Sequence, residues 1–278
     1  MNQTGKPLKN KTIAFLGAGN MGEAIIQGLL VSKKVSPGQI LASDLNTEKL
    51  NLLSKKFKIK IAKDNVRAAE EADIVILAVK PQQIKDLLIE IAPVINPRQV
   101  VISIAAGVRL DFLQKKLIKK IPLVRVMPNT PALIQTGAIA FALGKWAGRK
   151  EEILAREIFG VLGFVAKVEE KFLDAVTALS GSGPAYIFYL AEILTETGKK
   201  LGLSAGLSRQ LTLQTIFGAA KMLVKSNEEP QLLRKKVTSP GGTTEAALKV
   251  LEEKKLSEIF HSALQAAKKR SIELGKKS

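Results

Sequence analysis

Residues 12–22, Thr12-Ile13-Ala14-Phe15-Leu16-Gly17-Ala18-Gly19-Asn20-Met21-Gly22, decide the fold. Their apolar head reads as a buried strand. The pattern G-x-G-x-x-G follows, and Ala24, Ile25, Gly28 and Leu29 then recur at helical spacing. Gly17 permits a tight turn, Gly19 lets a pyrophosphate approach the backbone, and Gly22 lets helix pack on strand. The three glycines alone would also suit a merely structural turn. Their place between strand and helix, with a second strand over 39–43 that ends at Ser43-Asp44, makes the unit a dinucleotide-binding βαβ start.

Outward from this unit, strand and helix signals alternate. Short apolar runs predict strands over 59–62, 73–79, 100–103, 123–126, 138–142 and 164–168. The run from Asp73 to Val79 is almost uniformly apolar, as a parallel strand covered on both faces should be. After Glu169-Glu170 the period becomes helical and stays so. Helices are expected from 185 to about 201, from 207 to about 225, near Leu232, and from Thr244 onward. Apolar positions such as Ile187, Leu190, Leu194, Leu213 and Phe217, with many small residues and no covering sheet, suggest packing against a second subunit. The fold class is therefore α/β, a Rossmann-like domain followed by an all-helical one.

The chain of 278 residues is 46% hydrophobic, enough for a large core and two domains. No run reaches the length of a membrane span, and the N-terminus lacks a signal-like apolar region, so no membrane role is expected. Zero cysteines exclude disulfides and thiol chemistry and fit a reducing cytoplasm. With the single His261 in a late helix, a metal site is not expected. The net charge of +18 is spread over short lysine runs without interleaved aromatics. That pattern suits a solvated basic surface that attracts anionic ligands better than a nucleic-acid interface.

A second informative stretch is Val237-Thr238-Ser239-Pro240-Gly241-Gly242-Thr243-Thr244. Pro240, Gly241 and Gly242 interrupt helical sequence and should form a tight turn opening into a helix. The helix start presents backbone N–H groups, and four hydroxyls surround them, which suits a small carboxylate with a polar neighbour. A helical hairpin turn with a Ser/Thr cap is the plainer alternative.

Together, G-A-G-N-M-G, A-V-K-P from Ala78, V-M-P-N-T-P from Val126, D-A-V-T-A-L-S-G-S-G-P-A-Y from Asp174 and V-T-S-P-G-G-T-T from Val237 resemble the pyrroline-5-carboxylate reductases. The resemblance spans nearly the whole chain in order. It implies a dinucleotide-binding domain over 1–170 and a helical substrate-binding and dimerisation domain over 171–278. It further implies hydride transfer from NADPH or NADH to 1-pyrroline-5-carboxylate, giving L-proline, in dimers that assemble into a larger ring such as a decamer. Carried over by motif, the cofactor contacts are Leu16, Gly17, Ala18, Gly19, Asn20, Met21, Gly22, Ser43, Asp44, Asn65, Ala78, Val79, Lys80, Pro81, Ile104, Ala105 and Ala106. On the substrate side they are Val237, Ser239, Gly241, Gly242, Thr243 and Thr244, with Glu170 aligned more loosely. The Thr244 hydroxyl is the expected partner of the ring nitrogen and the catalytic residue. Many relatives carry a Ser/Asn-Arg type pair after the second strand where this chain has Ser43-Asp44. A carboxylate there favours a bare ribose 2′-OH over a 2′-phosphate, unless Lys33, Lys34 or Lys49 compensates.

Such imine chemistry needs positioning more than acid–base groups, which suits a chain without Cys and with one His. Two other readings share the architecture. A β-hydroxyacid-dehydrogenase-type enzyme would be expected to carry a lysine on the first long helix after the sheet, where the earliest here is Lys199. The other is a non-enzymatic nucleotide-dependent binding protein using the basic surface.

Overall fold

In the strand β1 (Ile13–Leu16) every residue is buried, and its side chains alternate between two cores. Ile13 and Phe15 enter one, Ala14 and Leu16 the other. The same alternation recurs in β4 (Ile74–Leu77), where Ile74 and Ile76 face one core and Val75 and Leu77 the opposite one. A strand whose two faces are both covered has no use for polar positions, which is why these runs are uniformly apolar. Each large side chain so buried contributes about 1.5–3 kcal/mol.

The computed structural model describes residues 7–276. After β1 come α1 (Asn20–Val31), β2 (Ile40–Ser43), α2 (Thr47–Phe57), β3 (Lys60–Ile61) and α3 (Asn65–Glu70). Then follow β4, α4 (Ile84–Ile91), β5 (Val100–Ser103), α5 (Leu110–Leu117) and β6 (Leu123–Met127). The sheet is completed by β7 (Gly137–Leu143), α6 (Arg149–Phe159) and β8 (Gly163–Lys167). Its eight strands lie in the order β3-β2-β1-β4-β5-β6-β7-β8. Neighbours from β3 to β6 pair in parallel, and β7 runs antiparallel to β6. The link from β6 to β7 holds only a short 3₁₀ turn, Thr130–Ile134, too little for a parallel crossover. The helix α6 then supplies a crossover, and β8 pairs parallel to β7. All eight expected strands are present, most shifted by one or two residues at their ends.

The helical part follows as α7 (Leu173–Val176), a π-helical turn over Thr177–Gly181, α8 (Gly183–Lys200), α9 (Ala205–Lys225), α10 (Pro230–Lys236), α11 (Thr243–Glu253) and α12 (Leu256–Lys276). Contacts divide the chain into residues 1–182 with 266–278, and residues 183–265. The first unit holds the sheet, α1 to α7 and the end of α12. The second holds α8 to α11 and the start of α12. Within the second, α8 and α9 pack as a pair. Ser208 Oγ donates to the Thr195 carbonyl at 2.7 Å. None of the 18 residues of α8 is buried in the monomer, and Phe188, Tyr189 and Phe217 are exposed. Among the described residues no helix is long and apolar enough to cross a membrane.

Arg125, 3% exposed on β6, carries the first unit's one buried arginine side chain among the described residues. Its Nη1 lies 3.1 Å from Glu170 Oε1 and its Nη2 3.7 Å from Asp174 Oδ1. Ser271 of α12 donates to the same Asp174 oxygen at 2.7 Å. The end of the last helix is thereby tied into the first unit, where Gly275 also packs against Gly107.

At the other end of the sheet, Asp73 accepts from Lys11 Nζ at 2.6 Å and from the Thr12 N–H at 2.9 Å, clamping the entries of β1 and β4. Burial pushes the Asp73 carboxyl up, but these hydrogen bonds and the charges of Lys11 and Lys150 outweigh it and hold it below the ordinary 3.8. A carboxyl depressed on folding stabilises above its unfolded pKa, and the contribution is lost as pH falls through the folded value. At neutral pH Asp73→Asn should therefore cost about 1 kcal/mol or less, since the pair is partly exposed. In chemical denaturation followed over pH, the gap between wild type and variant should close below about pH 4. A gap that stays constant or widens on acidification would refute this role.

Candidate active site

The loop after β1 is shaped by a close approach. Gly17 has φ +104°, and a Cβ there would sit 2.7 Å from the backbone carbonyl carbon of Ala78 at the end of β4. Only glycine meets both conditions. Its N–H donates to the Ser43 carbonyl and the Ala78 N–H donates to Leu16, so the ends of β1, β2 and β4 are stitched together. Gly22 packs against the Gly17 carbonyl, whereas at Gly19 a Cβ would have nothing nearer than 3.9 Å. The middle glycine is thus the one facing open space. Gly19 is also the N-cap of α1 and offers no side-chain acceptor, so the helix presents its first N–H groups outward.

A cleft of about 600 Å³ lies above these strand ends. Gly17, Gly19, Asp44, Asn65, Ala78, Val79 and Lys80 line it, together with Lys49, Glu90 and neighbours. A second cleft of about 430 Å³ adjoins it over β2 and β3 and includes Ser43. The geometry fits a dinucleotide: a Cβ-free approach to a helix N-terminus, at the carboxyl ends of parallel strands beside the switch in strand order. Asp44 accepts from Ala18 N–H at 2.6 Å and from Asn46 N–H at 2.8 Å, so its carboxylate also holds the loop in shape. Ser43 Oγ donates to Asn65 Oδ1 at 2.7 Å, and Asn65 Nδ2 donates to Glu90 Oε2 at 2.9 Å.

The remaining positions expected on the cofactor side are not among the residues that line the two clefts. Leu16 and Ala18 are fully buried, and Met21 packs against the core. Asn20 accepts from Lys49 Nζ at 3.3 Å. Pro81 opens a 3₁₀ turn after Lys80. Ile104, Ala105 and Ala106 follow β5, with the Ile104 N–H bonded to the Leu77 carbonyl of the neighbouring strand. Of the lysines considered as compensators, Lys34 is paired with Glu157, while Lys49 lines the cleft.

In the second unit, Ser239-Pro240-Gly241-Gly242 closes through Gly242 N–H to the Ser239 carbonyl at 3.0 Å. Proline at the second position and glycine at the third with φ +72° are the signature of a type II turn. The helix α11 starts at Thr243 with Gly242 as its N-cap and no capping side chain. Its first intrahelical acceptor serves Ala246, so the N–H groups of Thr243, Thr244 and Glu245 have none within the helix. Glu245 Oε2 takes the Gly241 N–H at 2.7 Å, and Thr238 Oγ1 donates to the Arg234 carbonyl. Thr243 and Val237 are exposed and Thr244 half-buried. Lys236 binds both Glu228 oxygens at 2.7 Å, fixing the end of α10 to the preceding loop.

Glu170 is engaged elsewhere. Its Oε1 accepts from the Leu110 N–H at 2.7 Å and from Arg125 at 3.1 Å, so a substrate-side role has to compete with two firm partners. His261 lies on an exposed face of α12 beside Gln265. Sequence reasoning missed Glu90. It sits in ordinary helical sequence, and only the packing of α4 beside α3 brings it to Asn65.

A family model described as pyrroline-5-carboxylate reductase dimerisation matches residues 170–274, and one described as NADP oxidoreductase, coenzyme F420-dependent, matches residues 12–107. The pyrroline-5-carboxylate reductase of Pseudomonas aeruginosa is 42% identical over 263 residues, covering 94% of this chain and 96% of the relative. A solved pyrroline-5-carboxylate reductase from Coxiella burnetii is similar at a TM-score of 0.90 and 39% identity, over 95% of this chain and 98% of that one. The Plasmodium falciparum pyrroline carboxylate reductase, solved with NADP bound, gives 0.84 and 31%, over 96% and 98%. Matched in sequence and in fold along almost its entire length, this chain belongs to the pyrroline-5-carboxylate reductase family.

Proposed function

We propose that the protein reduces the C=N bond of 1-pyrroline-5-carboxylate to give L-proline, using NADPH or NADH, as the last step of proline synthesis. The single observation that carries this is the 42% identity to a reductase of that name over 94% of the chain, which takes in both the glycine loop and the glycine turn. The bound cofactor would supply the hydride. Gly17, Gly19 and the start of α1 would hold its pyrophosphate, with Asp44, Asn65, Val79 and Lys80 along its length.

We assign the substrate to the turn over 237–244, and residues 171–278 to substrate binding and dimerisation. The Thr243, Thr244 and Glu245 N–H groups would take the carboxylate, since the Gly241 N–H is already spent on Glu245. Ser239, Gly241 and Gly242 set the turn that aims them. The Val237 carbonyl and the Thr244 hydroxyl would face the ring nitrogen. The cyclic imine binds already protonated, so the residues have only to orient it and to accept and return hydrogen bonds as its charge changes. The exposed apolar residues of α8 and α9 are the surface for a second copy, and a ring of dimers such as a decamer is the larger assembly we propose by family resemblance. The absence of cysteine from the sequence agrees with a cytoplasmic setting. Oxidation of NADPH and NADH by the purified protein with 1-pyrroline-5-carboxylate tests the activity, and no oxidation of either would reject it.

The hydroxyl of Thr244 is expected to matter most for the chemical step. Thr244→Ala should lower kcat/KM roughly 10- to 1000-fold, the range for one transition-state hydrogen bond, while cofactor affinity stays nearly unchanged. Thr244→Ser should keep most activity. If Thr244 only supports the first turn of α11, the alanine variant would instead lose a few degrees of Tm and turn over like wild type.

Removing the Asp44 charge while keeping an acceptor, as in Asp44→Asn, should raise the NADPH to NADH ratio of kcat/KM about 10-fold by relieving one charge repulsion of about 1–2 kcal/mol. A ratio that does not move would show that Asp44 serves the loop alone. Light scattering at micromolar concentration should report at least a dimer; a monodisperse monomer would overturn the assigned interface.

A further inference from the structure

The two adjoining clefts of the first unit share one wall, made of Asp44, Leu45, Asn65 and Glu90. That wall holds two carboxylates and no cation. Around it the first cleft adds Asp86 against Lys49 and Lys80, and the second adds Asp64 against Lys63. The trough is therefore locally acidic in a protein whose sequence carries a net charge of +18. The global field draws in any anionic dinucleotide, but it cannot discriminate between two that differ by one phosphate. Discrimination has to come from charges within a Debye length of that phosphate.

On this wall Asp44 is partly committed to backbone, through the Ala18 and Asn46 N–H groups. Glu90 is committed to one side-chain amide, with Asn65 Nδ2 on its Oε2. A carboxylate only accepts, so Asn65 must turn its nitrogen to Glu90 and its oxygen to Ser43, whose hydroxyl then donates. The chain Ser43–Asn65–Glu90 thus fixes an acidic group, carried by α4, against the end of β2. Hydroxyl groups, which donate, suit such a wall; a phosphate dianion does not.

We propose that Glu90 is a specificity determinant of the cofactor cleft, a second carboxylate that acts with Asp44 to disfavour a dinucleotide bearing a 2′-phosphate and to favour NADH. The proposal rests on the family reading of this cleft as the dinucleotide site.

Titration of NADH and NADPH, each alone, into the full-length protein, followed by nicotinamide fluorescence and without substrate, tests it. In Glu90→Gln the hydrogen bond from Asn65 can persist while the charge is gone. The ratio of the NADPH Kd to the NADH Kd should fall about five- to ten-fold, with the NADH Kd within about two-fold of wild type. Glu90→Lys, which reverses the charge at this exposed position, should lower the ratio further. A ratio unmoved in both variants overturns the proposal while leaving the cleft's identity intact. Equal weakening of both cofactors in Glu90→Gln also overturns it, because Glu90 would then only orient Asn65. If wild type binds neither dinucleotide, the reading of the cleft falls and the proposal with it.

Discussion

The approach of the Gly17 backbone to the carbonyl of Ala78 is the contact on which the cofactor end of the molecule depends. It brings the ends of β1 and β4 to less than the distance any side chain would tolerate there, and it turns the chain sharply enough to point the start of α1 into the cleft. Everything downstream inherits this geometry. The Asp44 carboxylate can reach the Ala18 N–H only because the loop folds back over the end of β2, and Asn20 reaches Lys49 for the same reason. The parallel strands β1, β2 and β4, with apolar side chains on both faces, supply the rigidity against which such a turn can be held.

A second constraint is the charge on Arg125. A guanidinium cannot lose its proton, so burying it obliges the fold to bring anions to it. Glu170 and Asp174 answer from the segment that follows the sheet, and each is in turn held by another group, the Leu110 N–H and the Ser271 hydroxyl. The network therefore fixes the route of the chain as it leaves β8. Just beyond, the helix widens into a π turn where Ser182 N–H reaches back to the Thr177 carbonyl, and Asn129 Nδ2 donates to the carbonyl of Ser180. At Gly181 a Cβ would meet the end of the Met127 side chain, which would have to shift to admit it.

The sheet was legible because each strand is a short apolar run, and a run buried on both faces leaves little ambiguity. The antiparallel turn at β7 was not, since pairing direction depends on how far the intervening loop reaches and not on the strand's own residues. The glycine loop and the glycine turn were legible through proline, glycine and hydroxyl residues with a local conformational meaning. Glu170, Glu90 and Lys236 were opaque for the opposite reason. Their partners are Arg125, Asn65 and Glu228, and a charged residue in a sequence of 24% charged residues does not announce which other it will meet. The π turn was equally hidden, because the extra residue changes hydrogen-bond connectivity without changing composition.

Because the chain passes out of the first compact unit after Ser182 and returns to it at Ala266, the helical unit is an insertion within the sheet-bearing one. During synthesis, the cleft-forming strands leave the ribosome well before the residues that complete their own unit. Until Ser271 emerges, Asp174 lacks its hydroxyl donor, and Gly107 lacks the backbone of Gly275 against it. The nascent first unit is thus finished by a segment translated after the helical unit, so folding of the two units cannot be strictly sequential along the chain.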